Sequence, residues 1–323
     1  MTLSSFTCRE QCDCSATVAA PDLFNCVVDH LMSRVCAQIP AVYFGNLHLA
    51  DLEYADDTIL LSNDFEKLTA ALSVYDRESR KLGLKVSWAK TKLMHVSEGP
   101  DLPALNIDGN AVEFADSFVY LGSTVTSNGN LKPEIERRRA LSSNVMQSLR
   151  KPFWRQQSIS RTTKMRIYNA AVLSVLLYGA ETWPVTGSLS SRLDGCRALR
   201  SILGIHWRDL VSNETVRALA GQPPASCLAA RRRVRWYGHV LRTPPHHPSR
   251  AILDFDPGSF VWKRPRAAPR TRWIDVVGRD LDQLGLDPAA IEPLAQDRDE
   301  WRALVNLVGS THDAPRSTVH ETR

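Results

Sequence analysis

Leu49-Ala50-Asp51-Leu52-Glu53-Tyr54-Ala55-Asp56-Asp57-Thr58-Ile59-Leu60-Leu61 sets two adjacent carboxylates between two apolar, strand-like runs. Leu, Ile and Tyr flanking a short polar tip read as two strands and a tight turn. In a turn, neighbouring side chains need not diverge to opposite faces as they do along a strand. Asp56 and Asp57 can then share one cleft, with Tyr54 and Leu60 packing the strands behind them. Oxygen ligands of this kind suit Mg²⁺, which is held by one or two carboxylates together with substrate phosphates. Two such ions about 4 Å apart stabilise the attacking and leaving oxygens of a phosphoryl transfer. A solvated Asp-Asp turn is the other reading of the same dipeptide.

The segments that follow alternate strand and helix. Asn63 stands three residues before Glu66, the spacing of a capping box, and predicts a helix start there. Phe65, Leu68, Leu72, Tyr75, Ser79 and Leu82 then recur in steps of three and four, one buried helical face that ends at Gly83. A short strand over Leu84 to Trp88 comes next, then a hairpin over Asn106 to Val112 with Asp108-Gly109 at its turn, then a strand over Phe118 to Val125. From Lys132 onward the pattern is helical. Pro133 suits a first turn, and Thr162 to Tyr178 reads as one helix with an apolar side made by Met165, Ile167, Tyr168, Ala171, Val172, Val175 and Leu176. Thr243 to Pro248 reads as a rigid linker and Trp273 to Leu286 as a further helix. No internal repeat is visible.

In this order the segments resemble the reverse transcriptases of non-LTR retrotransposons, most closely the RTE-like branch. Tyr54-Ala55-Asp56-Asp57 is similar to the metal-binding motif C, Leu82-Gly83-Leu84-Lys85-Val86-Ser87-Trp88-Ala89-Lys90-Thr91-Lys92 to motif D, and Phe118-Val119-Tyr120-Leu121-Gly122-Ser123 to the primer-grip motif E. Ala20 to Met32 resembles the end of motif B. The likeness continues through Val175 to Trp183, Ile202-Leu203-Gly204, Trp236 to Val240 and Pro269 to Trp273. Motif A, which supplies a further catalytic Asp on an earlier palm strand, has no counterpart in the sequence, and neither do the fingers. The Gln-Gly pair that heads motif B is also missing.

The resemblance implies an α+β chain. Residues 1–19 form a divergent N-terminal segment, 20–130 a partial right-hand palm of antiparallel strands with packed helices, 131–243 a basic helical thumb-like region, 244–309 a basic and helical C-terminal region, and 310–323 a disordered tail. It further implies that Asp56 and Asp57 hold Mg²⁺ or Mn²⁺, that Lys90 donates a proton to pyrophosphate, and that Tyr120, Leu121 and Gly122 set the primer end. RNA template and DNA primer are the implied partners. With motif A and the fingers absent, the expected state is a polymerase remnant that is inactive alone. Two alternatives stay open: a non-catalytic nucleic-acid-binding remnant, and a domesticated interaction protein that uses the basic region only.

Composition fits a nucleic-acid partner. The chain has 323 residues, 43% of them hydrophobic, enough to bury a core in two or three lobes. Its formal charge is only +5, yet residues 131–273 hold 26 Lys and Arg against 8 Asp and Glu, a local net of +18. A central basic block of that size suits a phosphate backbone. The candidate contacts are Arg137, Arg138, Arg139, Lys164, Arg166, Arg231, Arg232, Arg233, Arg235 and Trp236, the last as a surface on which an unpaired base stacks. Val234, Tyr237 and Leu241 at helical spacing give the competing reading, a core face with an arginine rim. Seven cysteines, five of them before Val42, form no disulfide framework, and Cys8, Cys12 and Cys14 lack a zinc spacing. A reducing, intracellular compartment, nuclear or cytoplasmic, fits that usage. No signal peptide or membrane-length apolar run is present.

Overall fold

The computed structural model describes residues 2–9, 20–96, 103–255 and 271–309. Cys12, Cys14, the basic stretch 263–270 and the tail beyond residue 309 lie outside them. The chain divides into two compact units, Met1–Asn130 with Pro245–Pro269, and Leu131–Pro244 with Arg270–Arg323. No helix among the described residues is long and apolar enough to cross a membrane. The mixed α+β class expected from the sequence is present, sheets in the first unit and helices throughout the second.

In the first unit, strand β1 (Thr2–Arg9) is followed by helix α1 (Ala20–Cys36), the hairpin β2 (Val42–Phe44) and β3 (Leu47–Leu49), and the hairpin β4 (Asp51–Tyr54) and β5 (Asp57–Ser62). Helix α2 (Phe65–Lys81), β6 (Lys85–Val86), β7 (Lys92–His95), β8 (Leu105–Ile107), β9 (Asn110–Phe114), β10 (Ser117–Tyr120) and β11 (Ser123–Thr126) complete it. The main sheet runs β4-β5-β1-β7-β9-β8, with β6 also on β1. All pairs are antiparallel except β7 with β9. Thr58, Ile59, Leu60, Leu61 and Ser62 are all buried, because β5 is covered on both faces. Leu60 and Leu93 pack with α1 and α2 through Leu31, Leu68, Leu72 and Tyr75, while Ile59, Leu61 and Met94 pack with Val42 and Phe118 of the small hairpins. Each such Leu or Ile side chain contributes about 1.5–3 kcal/mol by leaving water.

The helix predicted from Asn63 begins one residue later. Asp64 is the cap, its Oδ1 accepting from the Lys67 amide at 3.0 Å, and its own amide donates to the Ser62 hydroxyl at 3.0 Å. Replacing Asp64 by Ala removes that acceptor and is expected to cost about 1 kcal/mol in urea unfolding, whereas Asn63→Ala leaves stability within a few tenths. The predicted hairpin turn at Asp108-Gly109 is present, with positive φ of 50° and 84° at its two central residues, the requirement of the turn that matches strand twist.

The second unit is helical: α3 (Lys132–Ser148), α4 (Arg161–Ile167), α5 (Ser174–Leu176), α6 (Gly187–Leu193), α7 (Arg197–Leu203), α8 (Asn213–Ala220) and α9 (Ala225–Leu241), then, beyond α10 (Pro248–Leu253) of the first unit, α11 (Trp273–Asp282), α12 (Pro288–Gln296) and α13 (Arg298–Leu307). The single helix expected over Thr162 to Tyr178 is interrupted by a π turn over Tyr168–Leu173. Asn169, Ala170 and Ser174 keep to the exposed side of that stretch. The wider turn lets Tyr168, Val172, Leu173, Leu176 and Leu177 all enter one core with Trp154, Trp183 and Leu199. A second π turn covers Arg150–Trp154. Helix α9 is the spine of the unit, packed by α6, α11, α12 and α13.

Candidate active site

The strands β4 and β5 meet at the pair Tyr54 and Asp57, so Ala55 and Asp56 form a two-residue turn. Ala55 has φ of 53°, a conformation that L residues adopt only at a cost of about 1–3 kcal/mol and that recurs at functional turns. Asp56 is exposed and Asp57 half-buried. Burial raises the Asp57 pKa above the ordinary carboxylate range, the charge of Asp56 raises it further, and Lys90 opposes both. The two carboxylates and the lysine therefore act on one another at the tip of one hairpin.

Lys90 is carried there by a tight turn after β6. The amides of Lys90 and Thr91 both donate to the Ser87 carbonyl, at 2.9 and 3.0 Å, and Thr91 Oγ1 bonds the same oxygen at 3.1 Å. Thr91 is buried and anchors the turn, leaving Lys90 exposed. Lys92, two residues on, is instead ion-paired with Glu113 across β7 and β9. Tyr120 closes the group. Burial raises its phenol pKa and the Asp57 charge adds to the rise. The next residues, Leu121 and Gly122, have φ of 46° and 77° and turn β10 into β11. Asp56, Asp57, Lys90 and Tyr120, distant in sequence, thus share one electrostatic neighbourhood. Tyr54 departs from the expected packing role: the residue is 65% exposed, because β4 is the sheet edge and Leu52 and Tyr54 fall on its outer side. Leu60 is fully buried as expected.

The strand lying against β5 on its other side is β1, Thr2-Leu3-Ser4-Ser5-Phe6-Thr7-Cys8-Arg9, in which Thr7 is the Cα partner of Asp57. It contains no Asp or Glu. Among the described residues, no three His, Cys, Asp or Glu side chains are gathered so as to hold a metal ion. What is present is the two-carboxylate set of Asp56 and Asp57, which fits one hard cation completed by phosphate oxygens.

A second acidic group lies along β4. Glu53 hydrogen-bonds Asp51, and burial, Asp51 and Asp29 together push its pKa up to about 7. Cys36 donates to Asp51 Oδ1 at 3.1 Å, and burial raises the Cys36 thiol pKa far above its ordinary value. Because the folded chain holds the Glu53 proton more tightly than the unfolded chain does, stability falls as pH rises from about 4.5 to about 7 and then levels. Glu53→Gln is expected to flatten that slope and to stabilise the protein at pH 8, read by urea midpoints at pH 5 and pH 8.

The basic candidates separate by burial. Arg138 is buried, with Nε 2.6 Å from Glu134 and its guanidinium 4.4 Å from the centre of the Tyr178 ring. Arg137 holds the same Glu134 at 3.1 Å. Arg231 donates to the Val308 carbonyl at 2.9 Å, Arg232 to the Leu177 carbonyl, and Lys164 to the Trp154 carbonyl at 3.0 Å. Arg233 is buried against Asp280. Arg139, Arg166, Arg235 and Trp236 face solvent, Trp236 with its ring 5.0 Å from that of His239. Much of the arginine-rich run of α9 therefore ties helices together. Sequence alone offered one hint of this, the apolar spacing of Val234, Tyr237 and Leu241.

Residues 17–125 match the family described as reverse transcriptase (RNA-dependent DNA polymerase), and residues 148–178 match a domain of unknown function. A transposon-derived protein of Caenorhabditis elegans is 25% identical over 283 residues, covering 80% of this chain and 95% of that protein. The segment holding the Asp56-Asp57 hairpin, Lys90 and Tyr120 is thus similar to reverse transcriptases, and most of the chain is similar to a protein of transposon origin.

Proposed function

We propose that the chain derives from the reverse transcriptase of a non-LTR retrotransposon of the RTE-like branch, and that it holds RNA template and DNA primer without extending the primer. The observation that carries the second half is β1. In the resembled enzymes an earlier palm strand adds a third carboxylate beside the hairpin, whereas the strand against β5 here has Thr7 opposite Asp57 and no acid along its length. Asp56 and Asp57 would hold Mg²⁺ or Mn²⁺, which when bound supplies charge stabilisation at the reacting phosphate oxygens. Burial raises the Asp57 pKa and the charge of Asp56 adds to the rise, and a cation would relieve both. Lys90 would sit by the departing pyrophosphate, and the Tyr120-Leu121-Gly122 turn would place the primer end against the hairpin. Two carboxylates hold one ion loosely and leave the other side of an in-line displacement unsupported.

The test is primer extension by the purified chain on an RNA template with Mg²⁺, beside the Asp56→Ala, Asp57→Ala double variant and a gel shift on the same duplex. Binding without extension by either protein is the expected result. Extension that disappears in the double variant would overturn the non-extending reading and restore an enzyme. Absence of any shift would overturn template and primer holding.

A further inference from the structure

Helix α3, the two π turns and helices α6 and α7 enclose a groove of about 780 Å³ within the second unit. Its ionisable lining consists of four arginines, Arg139, Arg150, Arg192 and Arg197, and the Tyr168 phenol, with no carboxylate. Arg192 is ion-paired with Glu136 at 2.6 Å. Arg139, Arg150 and Arg197 are exposed and form no ion pair among the described residues. The floor is apolar, made by Val172, Leu176 and Leu193 beside the Tyr168 ring.

Both π turns border this groove, one supplying Arg150 and the other Tyr168 and Val172. Such turns are rare and occur disproportionately at functional sites. The volume is that of a site for a small ligand of one or two nucleotide units. Three cationic forks around an apolar floor match phosphates on the rim and a flat base within.

We propose that this groove binds nucleotide units of a single strand, with phosphates on Arg139, Arg150 and Arg197 and a base over Tyr168 and Val172. Among these residues, only Arg139 was a nucleic-acid contact candidate from sequence. The inference rests on the nucleic-acid reading above but is separable from it, since the hairpin is not part of the groove.

The experiment measures binding of a short fluorescein-labelled oligouridylate by the full chain across a salt series. The variants are Arg139→Gln, Arg150→Gln, Arg197→Gln together, and Gly195→Phe, which fills the groove without changing its charge. Gly195 tolerates a side chain, since an added Cβ meets only the Arg192 carbonyl, at 3.9 Å. Losing three phosphate contacts is expected to weaken binding about tenfold or more and to flatten the log–log salt slope by about 2. Gly195→Phe should weaken the oligouridylate while leaving the duplex gel shift intact. Competition separates the two parts of the ligand: uridine triphosphate should displace the probe better than inorganic tripolyphosphate. Equal displacement by the two would overturn the base-binding floor. Wild-type affinity and slope in the triple variant, or no binding of oligouridylate by the wild-type chain, would overturn the site itself.

Discussion

Gly238→Ala is expected to destabilise the second unit by about 3 kcal/mol, even though alanine is the better helix former. Gly238 lies inside α9, where exchange for Ala would by propensity alone contribute about 1 kcal/mol of stability. The indole of Trp301 lies against it. A Cβ on Gly238 would stand 2.0 Å from Nε1, 2.3 Å from Cε2 and 2.6 Å from Cδ1 of that ring. The ring cannot swing away cheaply, because it is 2% exposed and its Nε1 donates to the Val234 carbonyl at 3.1 Å. Overpacking of a closed core costs about 1–3 kcal/mol and sometimes more, which outweighs the propensity gain. Trp301→Ala should cost about 3–5 kcal/mol by leaving a cavity. The double variant should lose less than the sum of the two, since the new methyl occupies part of the vacated space. Urea unfolding of the four proteins decides it, and additivity within about 0.5 kcal/mol would show that the ring and the helix do not touch in solution.

Local signals were readable because local geometry enforces them. Asp108-Gly109 turns where only residues tolerant of positive φ can turn, and the steps of Leu68, Leu72 and Tyr75 mark the face that meets the sheet. The hairpin around Asp56 and Asp57 follows from the apolar runs on either side of its polar tip, and its grouping with Lys90 and Tyr120 follows from the order of the motifs. Three features escaped. Strand β1, with Ser4, Ser5 and Thr7 among its residues, lacks a hydrophobic alternation and is specified by the two strands it joins. The π turns escaped because one extra residue in a turn leaves no break in composition, and Tyr168 and Val172 keep the four-residue step of an ordinary helix. The fates of the arginines escaped because Arg138 and Arg233 are written with the same letter as Arg139 and Arg235, and only packing by Glu134 and Asp280 separates them.

That separation gives the second large effect. Arg233→Ala is expected to cost about 3–5 kcal/mol, and any loss of the proposed nucleic-acid binding in that variant is expected to come from unfolding. The Arg233 side chain is 4% exposed and that of Asp280 11%, with Nε and Nη2 at 2.9 and 2.8 Å from Oδ2 and Nη1 at 3.3 Å from the Trp183 carbonyl. Burial lowers the Arg233 pKa and raises that of Asp280, and each charge partly restores the other. The pair therefore holds its ionised form against desolvation, and removing one member leaves the other charged and buried. Asp280→Ala should cost a similar amount for the mirrored reason. Replacing both, Arg233→Met with Asp280→Leu, should return stability to within about 2 kcal/mol of the starting protein, because an apolar pair of similar volume needs no compensation. Arg272 and Asp275, a solvent-exposed pair at 2.9 Å, provide the contrast: Arg272→Ala should shift stability by less than about 1 kcal/mol. If the Met and Leu variant folds and still binds an oligonucleotide as tightly as the unaltered chain, Arg233 is a structural tie and the phosphate contacts lie on exposed arginines. Lost affinity in that folded variant would return Arg233 to the binding surface.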